Sequence, residues 1–243
     1  MIHLKLDATD STNSYLKELV GSGVPGNWTV VSTREQVQGR GQQGAHWFSD
    51  VGKNLTFSIL IRETGLKATD QFILNCAVSN GIFKVLEDSE VPRLKVKWPN
   101  DIMSGSSKLA GILIENSLIT DRITHSIVGI GLNVNQEVFP SDLPQAVSMR
   151  QLTQKKYNLE SLLGNLVESI AQEIELVERG EFETLRQNYI NRMYRQNKPH
   201  MFRVPGGQPF VAQIQGTTDN GLLILRHEDD NLVNYAFKEI EYL

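Results

Sequence analysis

Residues 97–115 read KWPNDIMSGSSKLAGILIE. The chain enters along an alternating strand from Leu94 to Trp98, after the break at Pro92. Beyond Met103 a Gly-containing turn at Ser104–Ser107 returns it along Lys108–Glu115, which predicts a β-hairpin. The turn brings Lys108 to the start of the return strand, near Asn100 and Asp101. A lysine, a carboxylate and an amide at one hairpin mouth suit a phosphate, a Mg2+ ion or an incoming amine. A surface ion pair contributing at most about 1 kcal/mol is the plainer alternative.

Outward from this hairpin, residues 127–135 (IVGIGLNVN) alternate strictly. Val128, Ile130, Leu132 and Val134 take one face, and Gly129, Gly131, Asn133 and Asn135 take the other. Glycine weakens a strand interior unless a ligand or another backbone must come close, so the second face reads as a platform for a flat ligand. Upstream, residues 34–61 (REQVQGRGQQGAHWFSDVGKNLTFSILI) form a loop between two strands. Arg40 sits between Gly39 and Gly41, a planar fork of donors on a backbone able to approach an anion closely. The pair Trp47-Phe48 is suited to pin the loop. Gly39–Gly44 satisfies the spacing of a dinucleotide fingerprint, but no apolar helical period follows Gly44, so a dinucleotide-binding βαβ unit is rejected.

The remainder bounds the setting. With 243 residues, 40% hydrophobic and 21% charged, the composition is that of an ordinary soluble globular chain. A net charge of -4 argues against a general nucleic-acid binder. No apolar stretch has the length of a membrane span or the form of a signal peptide, and the lone Cys76 fits a reducing cytoplasm and reads as a packed thiol on a helix face. Ser11, Thr12 and Asn13 open a short helix stopped by Gly21. They are either a generous cap or a set of polar groups facing a ligand. Leu159 to Val177 trace one apolar helix stripe. Past a boundary near 196–199, short strands joined by Pro-Gly-Gly, Asp-Asn-Gly and Asp-Asp-Asn turns read as a small β-barrel docked on the rest.

Together, Gly39-Arg40-Gly41, the KWPND segment at 97–101, KLAGILIE at 108–115 and GIGLN at 129–133 resemble biotin protein ligases in order and spacing. Asp10–Asn13 and the 139–148 segment are similar as well. The resemblance implies an α+β fold: a mixed β-sheet catalytic domain flanked by helices, of class II aminoacyl-tRNA synthetase/biotin ligase type, over 1–196, and an SH3-like barrel over 197–243. It implies that biotin is activated by ATP, with Mg2+, to biotinyl-5′-AMP and passed to a lysine of a biotin carboxyl carrier protein. No fixed metal site is expected, because Mg2+ arrives with ATP. Lys108, Arg40 and Asp101 would be catalytic. Ser11, Thr12, Asn13, Gln36, Gly39, Gly41, Gly111 and Gly129 would hold biotin, with Arg40 and Lys108. Gln42, Trp47, Asn100 and Asn133 would serve the nucleotide, again with Arg40 and Lys108, and Trp47 would close over the product. The chain is expected to begin at the catalytic domain, without a winged helix-turn-helix, and so to act in the cytoplasm without direct DNA or membrane binding; a homodimer is compatible with this reading, which leaves the oligomeric state open.

Many relatives carry further arginines in the loop where this chain has Gln42, Gln43 and Ala45. That predicts a weaker electrostatic hold on the adenylate. Two other readings stand beside this one. Lipoate ligases and octanoyl transferases share the architecture, though KWPND and the tail speak against them. A non-catalytic biotin sensor would have no need of both Arg40 and Lys108.

Overall fold

The computed structural model describes residues 2–23, 25–62 and 64–243, and of Gln43 the backbone alone. The elements of the first part are β1 (Ile2–Thr9), α1 (Thr12–Gly21), β2 (Thr29–Gln36), β3 (Leu55–Arg62), α2 (Gln71–Asp88), β4 (Leu94–Lys97), β5 (Asp101–Ser104), β6 (Ser107–Ile119) and β7 (Arg122–Leu132). There follow α3 (Met149–Thr153), α4 (Leu159–Glu178) and α5 (Phe182–Asn191). The last part is β8 (Pro199–Arg203), β9 (Pro209–Thr217), β10 (Leu223–His227), β11 (Leu232–Tyr235) and β12 (Glu241–Tyr242).

Strand β3, LTFSILIR, shows no clean alternation because both of its faces are covered. It lies third in a seven-stranded sheet of order β1-β2-β3-β7-β6-β5-β4. The β1–β2 pair is parallel and every other pair is antiparallel, so the sheet is mixed. Phe57, Ile59, Val128, Ile130 and Ile112 point from its centre into the main core, under α2, α4 and α5. There α2 and α4 cross closely at a glycine: a Cβ on Gly81 would lie 2.9 Å from the Ile170 Cα. On the opposite face Leu60, Ile127 and Val31 pack with Leu16 of α1.

Cys76 lies fully buried on α2, where burial pushes its thiol far above the ordinary range. No helix among the described residues is long and apolar enough to cross a membrane.

The C-terminal strands depart from the closed barrel expected of them. Five strands, one more than the turn pattern predicts, form an antiparallel sheet of order β11-β10-β9-β8-β12, leaving β11 and β12 as its edges. The sheet is not closed, because the two-residue β12 pairs with β8 alone. It docks as expected. Trp98 Nε1 donates to Gly221 O at 2.9 Å, the Trp98 and Phe237 rings meet edge-on at 6.2 Å, and Phe202, Ile214 and Leu223 continue the main core.

Candidate active site

The face of the sheet that carries α1 changes character along its strands. Under the helix it is apolar. Two residues further on, the same face presents Ser58 and Thr56 of β3, Gly129 and Gly131 of β7, and Gly111 of β6, all in line because strand side chains repeat every second residue. Thr56 and the three glycines of this strip floor a cleft of about 340 Å³, with Ser58 fully buried and not lining it; the walls are the start of α1, the Gly-rich loop up to Trp47, the β4–β5 corner and the segment Phe237–Tyr242.

At one end polar groups interlock. Ser11 stands in extended backbone before α1 without capping it; the first helical N–H, that of Thr12, donates to Gln36 Oε1 at 2.9 Å. Ser58, fully buried, lies 2.7 Å from Thr12 Oγ1 and 2.6 Å from Asn13 Oδ1. Asn13 donates to Leu113 O at 3.3 Å and to Glu115 Oε2 at 2.7 Å. Both amide hydrogens of Asn13 are therefore committed to protein acceptors, and the residue shapes the pocket more than it offers donors to it. Its position depends on Gly129, where a Cβ would come within 2.3 Å of Asn13 Oδ1.

Lys108 faces the cleft because of a β-bulge. The β5–β6 register runs Ile102↔Ala110 and then Met103↔Lys108, so Leu109 is the extra residue. In unbroken register Lys108 would oppose Ser104 and point to the other face. With the bulge it shares the face of Asp101 and Gly111. Its Nζ lies 2.7 Å from Asp101 Oδ1, within ion-pair distance but not aligned as a hydrogen bond.

The Gly-rich loop is itself a small hairpin. Trp47 N donates to Gly39 O at 2.9 Å, Gly41 N donates to Ala45 O at 2.6 Å, and a 3-10 turn spans Gln42–Gly44. No α-helix begins at Gly44, in keeping with the rejected dinucleotide fingerprint. Gly39 is needed for the close approach, since a Cβ there would lie 2.3 Å from Trp47 O. The turn brings Arg40 to the rim, with Nη2 3.1 Å from Ser14 Oγ and 3.3 Å from Glu115 Oε2. It also carries the Trp47 indole into the cleft, over Gly131 and 5.7 Å from Lys108 Nζ, with Nε1 buried and unpartnered.

Of the residues singled out from the sequence, Ser11, Thr12, Asn13, Gln36, Arg40, Gly41, Gln42, Trp47, Asn100, Asp101, Lys108, Gly111 and Gly129 line this one cleft. Gly39 is buried within the loop and does not line the cleft. The side chain of Gln43 is outside the described residues. Asn100 is nearly buried and donates to Ile112 O at 2.6 Å, while Ile112 N returns a bond to its carbonyl. Asn133 lines a neighbouring hollow of about 320 Å³ on the far side of Trp47, with Phe48 and Phe139.

Sequence reasoning missed Ser58, whose signal was a lone serine in an otherwise apolar stretch of β3. It also missed Phe237 and Tyr242, which no local pattern marks because they reach the cleft through docking of the C-terminal sheet. Lys97 Nζ lies 5.0 Å from the Tyr242 ring centroid, and burial pushes the Tyr242 phenol above its ordinary value.

The fold and this cleft define a family. Residues 6–133 match the Biotin/lipoate A/B protein ligase family, and the chain belongs to it. Among individual relatives, it is 30% identical to the biotin--[acetyl-CoA-carboxylase] ligase of Paracoccus denitrificans over 226 residues, 91% of this chain and 92% of that one. It is 31% identical to the bifunctional ligase/repressor BirA of Bacillus subtilis over 167 residues, covering 66% of this chain and only 50% of that longer protein. In structure, the biotin protein ligase of Aquifex aeolicus in complex with biotin and ATP matches with a TM-score of 0.83, covering 100% of this chain and 99% of that one at 23% identity, a likeness of fold.

Proposed function

We propose that the chain is an ATP-dependent biotin protein ligase. The observation that carries the reading is that Arg40 and Lys108 meet at one cleft, beside the Ser11–Thr12–Gln36 pocket and over a glycine floor. A buried polar end suits a ureido ring, the glycines seat Trp47 and Asn13 around it, and two cations suit a site where carboxylate and phosphate meet.

In the first half-reaction a biotin carboxylate oxygen attacks the α-phosphorus of ATP. The bond to the β-phosphate oxygen breaks, and pyrophosphate leaves with the bonding electrons. Lys108 and Arg40 hold the carboxylate and α-phosphate together and stabilise the charge that gathers there. In the second, the ε-amine of a carrier lysine attacks the acyl carbon and expels AMP. The nitrogen gives up a proton to solvent as the amide forms, and Asp101, beside Lys108, orients the amine. Trp47 shields the anhydride from water.

Mg2+ would arrive on the ATP phosphates and neutralise their charge. Asp101 supplies a carboxylate of the hard kind Mg2+ takes, but its Oδ1 is ion-paired with Lys108 Nζ at 2.7 Å and would have to leave that pair to reach the ion. Gln42, Trp47 and Asn100 of the cleft, with Asn133 of the neighbouring hollow, would serve the nucleotide. The partner is a biotin carboxyl carrier protein, met in the cytoplasm without DNA contact, in keeping with the acidic net charge. The catalytic domain is assigned to 1–196 and a smaller C-terminal domain, with an open sheet in place of the expected SH3-like barrel, to 197–243.

The test is transfer itself: protein, biotin, Mg-ATP and an unmodified carrier domain, followed by mass spectrometry of the carrier. An ATP-dependent mass gain, lost in Lys108→Ala, is expected. A gain with lipoate or octanoate in place of biotin would overturn the substrate, and no gain with any of them would overturn the activity.

A further inference from the structure

Arg40 is held at the rim of the cleft and does not point freely into it. Its Nη2 shares one acceptor atom with the pocket: Glu115 Oε2 lies 3.3 Å from Arg40 and 2.7 Å from Asn13 Nδ2. Glu115 is on β6, on the same face as Gly111 and Leu113. Its side chain is 30% exposed and that of Arg40 46%, so the ion pair stands partly in water. Arg40 forms no other ion pair among the described residues.

We infer that Glu115 is a positioning residue for the reaction proposed above: it parks the Arg40 guanidinium, and an incoming carboxylate or phosphate must draw the fork away from it. This rests on the biotin ligase reading. The shared atom makes the release clean. When Arg40 leaves, Oε2 keeps the Asn13 hydrogen bond, so the carboxylate is not orphaned and the polar end of the pocket holds its shape. A half-exposed pair is weak, so Glu115 acts as a brake of a few fold on anion capture and not as a block.

Glu115→Gln keeps an oxygen for Asn13 and removes the charge that competes for Arg40. Binding of biotin and of biotin methyl ester is measured by titration calorimetry on the wild type, on Glu115→Gln, and on both in an Arg40→Met background. Biotin is expected to bind Glu115→Gln about 2–5-fold more tightly, the ester equally to both, and the gain to vanish without Arg40. Equal or weaker biotin binding by Glu115→Gln overturns the inference. So does an equal gain for the ester, or a gain that survives in Arg40→Met, which would mean simple repulsion of the ligand by Glu115. These outcomes leave the proposed function standing. A wild type that binds no biotin removes both.

Discussion

The Trp47 indole lies face-on against Gly131, so closely that a Cβ at Gly131 would sit 2.2 Å from Cε2, 2.5 Å from Cζ2 and 2.6 Å from Nε1. The strand carries glycine there because the ring occupies the volume a side chain would need. The apolar face of β7 stays packed in the core regardless.

Gly131→Ala is therefore expected to fold and to expel Trp47 from the cleft. Intrinsic tryptophan emission should shift to the red relative to the wild type, and Trp47→Phe in the same background should abolish the shift. Unchanged emission would mean that the loop accommodates the methyl group in place.

Lys108→Ala should separate chemistry from stability. Losing a preorganised donor at the reacting phosphate is expected to slow biotin-dependent ATP–pyrophosphate exchange by about 100–1,000-fold. The Asp101 pair is partly exposed, so the variant's stability should change by no more than about 1 kcal/mol. A large fall in melting temperature would assign Lys108 to structure instead.

Gln42 lines the cleft beside Arg40 and brings no charge to it. An arginine there should add a third cationic phosphate ligand to Arg40 and Lys108, so Gln42→Arg is expected to release biotinyl-AMP more slowly in a chase experiment. Equal release rates for the two proteins would show that Arg40 and Lys108 already suffice.

His125 faces Arg62 across β3 and β7; burial first, then the guanidinium, hold its imidazole below the ordinary value of 6.5. The native protein then binds fewer protons than the unfolded chain as pH falls through 6.5. Stability should decline from there towards the lowered native value and level off below it. Melting curves between pH 5 and 8 should show this decline flattened in His125→Gln, and an unaltered profile would place the pH dependence elsewhere, for example at His3, which shifts in the same direction.

How much was legible in advance differs by residue. The Lys108–Asp101 meeting followed from hairpin spacing, though not the bulge at Leu109 that turns Lys108 to the right face. A bulge is set by how two strands settle against each other, and neither strand's sequence states it. The glycine face of β7 announced that something lies flat on it, but not that Trp47 and Asn13 do so. The turn residues after 196 announced short strands, but not an open sheet whose fifth strand is two residues long.

By itself the sequence determined the periodicities: the glycine and apolar faces of β7, the apolar stripe of α4, the glycine-flanked Arg40, and the motifs that carry the family resemblance. These are local, because a strand repeats every two residues and a helix every 3.6, whatever lies nearby. Only the tertiary structure decided that Ser58 braces Thr12 and Asn13, that Glu115 holds Arg40, and that Tyr242 walls a cleft built from residues far from it in the chain. Those contacts arise from packing between distant segments, and the free energy that selects them belongs to the assembled core and not to any stretch of it.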